Sequence, residues 1–151
     1  MKMNRAQQFL IGVVVIHAAV TAVHAVAHTR IDVPATMEQS VFIGAVIILA
    51  PLIAAVGQLM RRDVLAASIL FLSMVGAEVF GVVNHLIVPG ADNIAQAPSG
   101  LWGSMFVWSA AALVLVEAAG IVVGAIAFMA SRRTTMNQSA HSGVAQSSSQ
   151  A

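Results

Sequence analysis

The chain has 151 residues, 59% of them hydrophobic and only 9% charged, with a mean hydropathy of +0.89. A soluble domain of this length carries about a quarter charged residues, so composition reads as one small membrane domain. The absence of cysteine excludes thiolate metal sites, iron–sulfur clusters, disulfides and covalent c-type haem. The single lysine, Lys2, precedes every apolar run and leaves no attachment point for a Schiff-base cofactor inside the membrane.

The first predicted span runs from about Phe9 to His28, near the roughly 20 residues needed to cross a hydrocarbon core. It carries His17, Thr21, His24 and His28 at spacings of four, three and four, which at 100° per residue form one narrow stripe. Lys2 to Arg5, the apolar stretch and Ala25-Val26-Ala27 also have the outline of a secretory signal cleaved before His28. Against cleavage, the run is long enough to span, and His17 and His24 interrupt its apolar region.

The second span, from about Val41 to Met60, follows a connection containing Pro34, with Thr36 or Ser40 as its expected cap. It has no ionisable group, and Pro51 is expected to kink it. Arg61-Arg62-Asp63 is too short for anything but an antiparallel turn. The third span, from about Val64 to Val88, places Glu78 and His85 seven residues apart on one face, with Gly81 between them.

The outer loop from Pro89 to Gly100 contains Asp92, and Trp102 and Trp108 follow it, as suits an interfacial aromatic belt. The fourth span, from about Trp102 to Ala130, sets Glu117 on one face with Gly120 and Gly124. That small-xxx-small pair permits close helix approach. It turns Glu117 into the bundle and offers a face for a homo-oligomer or a membrane partner. Residues 134–151, rich in Ser, Gln, Asn and Thr, read as a disordered cytoplasmic tail with His141 in solvent.

Arg and Lys set the expected topology. Lys2, Arg5, Arg61, Arg62, Arg132 and Arg133 flank one side of the spans, whereas the other carries only Arg30 with Asp32, Glu38 and Asp92. The positive-inside rule then makes both termini cytoplasmic. The expected fold is an all-α integral protein of a cell or inner membrane: a four-helix antiparallel transmembrane bundle over residues 1–133, with spans near 9–28, 41–60, 64–88 and 102–130.

Ionisable side chains are costly in a bilayer and mark functional sites by default. At ~1.5 Å rise per residue, depth matches His28 with His85, His24 with Glu78, and His17 with Glu117, each pair on two helices. The expected site is therefore His24, His28, Glu78 and His85, open to the outer face, with His17 and Glu117 as a deeper tier. Imidazoles with carboxylates suit a divalent transition metal, and His28 with His85 would suit the axial positions of a b-type haem. The same His/Glu ladder has the composition of a proton relay or transport subunit, and a purely structural polar core would indicate an assembly subunit. No Ser-His-Asp spacing, phosphate loop or nucleic-acid patch is present, and the sequence does not decide whether the protein is an enzyme.

Overall fold

The computed structural model describes the backbone of residues 5–148, with side chains to residue 134 and at Met136. Lys2 and the side chain of His141 lie outside the described residues. The described residues are helical, without a strand, and form four long helices: α1 (Arg5–Arg30), α2 (Met37–Leu59), α3 (Asp63–Ile87) and α4 (Leu101–Ser148). Each contains a stretch long and apolar enough to cross a membrane.

The helix ends have local causes. Thr36 caps α2 by accepting from the Gln39 N–H, while the Gln39 side chain accepts from the Thr36 N–H, a reciprocal capping box. At the other end of α2, Arg61 takes a left-handed φ of 62°. Arg62 N–H donates to Gly57 O and Arg61 N–H to Gln58 O, a Schellman stop in which Arg61 occupies the position where glycine is commonest.

Two helices are not regular α throughout. Ile43–Leu49 in α2 is a π-helical stretch just before Pro51. Proline offers no N–H and crowds the carbonyl four residues back, so a wider turn relieves the ladder at the place where a kink is expected. Val83–Ile87, the end of α3, is also π-helical. Val88 then takes an extended conformation (ψ 123°), as a residue before proline favours.

The last helix continues through Ser148, past Arg133, where composition reads the start of an irregular tail. No proline follows Pro98, so nothing forces the ladder to stop.

α4 lies along both α1 and α3, and α2 packs mainly on α3. Leu10, Val14, Ala54, Leu70 and Met74 form the apolar core. Gly120 and Gly124 bring α4 against α3: a Cβ at Gly124 would stand 2.9 Å from the Phe71 backbone, and one at Gly120 would stand 2.7 Å from the Met74 side chain. The small-residue face thus serves a contact within the chain.

Polarity is inverted relative to a soluble bundle. Val15, Ile16, Leu52, Leu72, Trp108, Leu115 and Val122 are exposed, while Gln7, His17, His24, Gln58, Ser73, His85, Ser109 and Glu117 are buried.

Candidate metal centre

Three imidazoles converge near the end of α1. His24 and His28 come from α1 and His85 from the π-helical end of α3, and one ring nitrogen of each lies within 4.8 Å of the others. Phe106 of α4, fully buried, forms the wall. Its ring stacks on His24 at 5.2 Å and meets His28 and His85 edge-on at 5.0 and 5.4 Å.

Each imidazole uses its Nδ1 on an oxygen. His24 Nδ1 lies 2.8 Å from Ser109 Oγ, and that hydroxyl also lies 2.6 Å from Met105 O and 3.1 Å from Phe106 O. With the hydroxyl proton on a backbone carbonyl, the shorter contact, Ser109 accepts and His24 Nδ1 carries a proton. His85 Nδ1 lies 2.9 Å from Asp92 O, and His28 Nδ1 lies 3.2 Å from Val33 O. Carbonyl oxygens only accept, so these two Nδ1 atoms are protonated as well.

In the neutral form of each ring, all three Nε2 atoms then carry bare lone pairs. His24 Nε2 and His85 Nε2 face one another at 3.2 Å, and His28 Nε2 lies 3.1 Å from Asp92 Oδ1. Lone pair against lone pair is repulsive. In that tautomer a positive charge at the centre, from protons or from a metal ion, would remove the repulsion.

Asp92 flanks the cluster from the loop. Its Oδ1 is 3.1 Å from His28 Nε2 and 3.2 Å from His85 Nδ1, yet it is enclosed and lies in line with neither nitrogen, so no directed hydrogen bond forms. Burial pushes this carboxyl up, but His28 and His85 outweigh it and hold Asp92 well below the usual carboxylate range.

The other expected site residues divide. His17 Nε2 meets Glu117 Oε1 at 3.3 Å, both side chains almost fully buried. His24 does not meet Glu78: its partners are His85 and Ser109. Glu78 is outside the histidine group, and its Oε2 is enclosed with no hydrogen-bond partner among the described residues. Glu78 lies in the regular α-helical part of α3 and His85 in its π-helical end, so the spacing of seven does not hold them to one azimuth. His28 and His85 do approach, with ring centroids 5.8 Å apart, but through Asp92 and not by a direct bond.

The sequence places Asp92 in the outer loop without marking it as part of the site, and it gives no signal for Ser109 or Phe106. A lone serine in a membrane helix usually bonds its own preceding turn, as Ser109 also does, so it carried no signal.

A cavity of about 470 Å³ adjoins the cluster. Its lining includes all three histidines, Asp92 and, farther along, Thr21, Gly81 and Glu117. Comparison with protein-family models, with curated proteins and with solved structures finds no match for this chain.

Proposed function

We propose that the protein is a four-span membrane protein, its helices antiparallel and both termini cytoplasmic, that binds one divalent transition-metal ion through Nε2 of His24, His28 and His85. The observation that carries this reading is the convergence of three imidazoles, one ring nitrogen of each within 4.8 Å of the others, with every Nδ1 beside an oxygen that can accept its proton. Metal-bound histidines characteristically donate their other N–H to a carbonyl, carboxylate or similar acceptor. The His24–His85 separation of 3.2 Å is close to the ~3.3 Å between ligands of a tetrahedral ion with bonds of about 2.0–2.1 Å. Remaining coordination positions would face the cavity that the same residues line. The inverted polarity of the bundle supports membrane insertion, because polar side chains gather inside while apolar side chains are left outward to meet lipid.

A b-type haem fits this arrangement less well than a single ion. Axial imidazoles approach opposite faces of a macrocycle, whereas His24 and His85 point at one another across 3.2 Å with Phe106 stacked on His24.

Protein purified without chelators and analysed by elemental mass spectrometry should carry about one ion per chain. His24→Ala and His85→Ala should lose it while keeping helical circular dichroism. A folded wild type that takes up neither zinc, copper, iron nor manganese sinks the metal reading.

A second reading shares the first one's observation. Protons in place of the metal would give a shared His24–His85 proton and an imidazolium facing Asp92, the outer end of a proton relay in which His17 and Glu117 form the deeper tier. Metal-free protein that conducts protons in liposomes, with conduction lost in His85→Ala, would favour it.

A further inference from the structure

The cavity has a second polar end, away from the histidines. His17 and His24 stand seven residues apart on α1, roughly 10 Å along the axis, and His17 holds Glu117 at that deeper level. Glu117 lines the cavity, and among the described residues its hydrogen bond goes to His17 through Oε1 alone. Its other oxygen, Oε2, points toward Gly81, 3.8 Å from where a Cβ there would stand. Thr21 also lines the cavity, and its Oγ1 is enclosed with no hydrogen-bond partner among the described residues. A helical threonine ordinarily bonds the carbonyl one turn back, so this hydroxyl is free for something else.

Between the two ends the wall is apolar, with Ile43, Ile47, Ala77, Phe80, Leu113 and Val114. The π-helical stretch of α2 supplies Ile43 and Ile47. An apolar chamber of 300–1,000 Å³ with a few placed polar groups is the form of a small-molecule site, and about 470 Å³ falls within that range.

We propose that this cavity binds a small, largely apolar molecule with a hydrogen-bond donor, such as a hydroxyl, at the end held by Glu117 Oε2 and Thr21 Oγ1. The carboxylate is acceptor-only when ionised and selects a donor. The apolar walls select the rest of the molecule, and the histidine end faces its far tip. The site is built from α1–α4 whether or not the histidines hold metal, so it stands apart from the metal reading.

The test uses the full chain in lipid nanodiscs, metal-free and zinc-treated, with radiolabelled 4-butylphenol as probe and butylbenzene as the matched molecule without a donor. Saturable 4-butylphenol binding above that of empty nanodiscs is expected, with butylbenzene weaker by at least about tenfold. Thr21→Val, of nearly the same shape, should weaken 4-butylphenol and leave butylbenzene unchanged. Gly81→Val, which intrudes on the Glu117 end of the chamber, should weaken binding of both. No saturable binding by wild type, equal affinity for the two probes, or full binding by Gly81→Val overturns the proposal. Zinc content, read on the same samples, reports on the metal reading separately.

Discussion

His24 owes its orientation to Ser109. The hydroxyl spends its proton on a backbone carbonyl and is left to accept from His24 Nδ1. Ser109→Ala should therefore lower metal affinity about 10- to 100-fold, measured by competition with a chelator of known strength, with helical content unchanged. The deeper pair makes a different prediction. A double-mutant cycle on His17 and Glu117, read by unfolding in detergent, should give a coupling of about 0.6–2 kcal/mol, the range for polar contacts between membrane helices; zero coupling would mean that the contact does not matter. Depth and periodicity were enough to bring His17 and Glu117 together on paper, because two regular helices obey the same rise per residue. They failed for His24 and Glu78, since depth alone does not report azimuth. They could not reveal Ser109 or Phe106, whose roles depend on which residues of α4 face α1.

Among the elements, α3 and α4 are held closest. The partner at Gly124 is the Phe71 backbone, which cannot yield, whereas at Gly120 it is side chain, Met74 Cγ and Sδ with Val13 Cγ1, which can shift by rotamer. Gly124→Ala should cost about 1–3 kcal/mol of stability as overpacking, and Gly120→Ala distinctly less, when both are compared by thermal unfolding. An equal cost would contradict this packing. The four apolar runs and the Thr36 cap are legible in the sequence because hydropathy and capping are local. The π turns are not. Pro51 marks a disturbance in α2 but not its form, and in α3 the only cue is Pro89, beyond the turn that redirects His85.

For the whole molecule, the inverted polarity and the one-sided distribution of Arg predict a topology that can be checked on a clean background, since the chain has no cysteine. A single Gln96→Cys should react with an impermeant maleimide on intact cells, and Arg62→Cys only after permeabilisation; the reverse pattern would invert the bundle. If three imidazoles share one metal ion in this bundle, as proposed, X-ray absorption at the metal edge of zinc-loaded protein in nanodiscs will see them. Three imidazole ligands per zinc at about 2.0–2.1 Å are expected, falling to two in His28→Ala. A bound zinc surrounded by oxygen alone, or a spectrum unchanged in His28→Ala, would contradict the account.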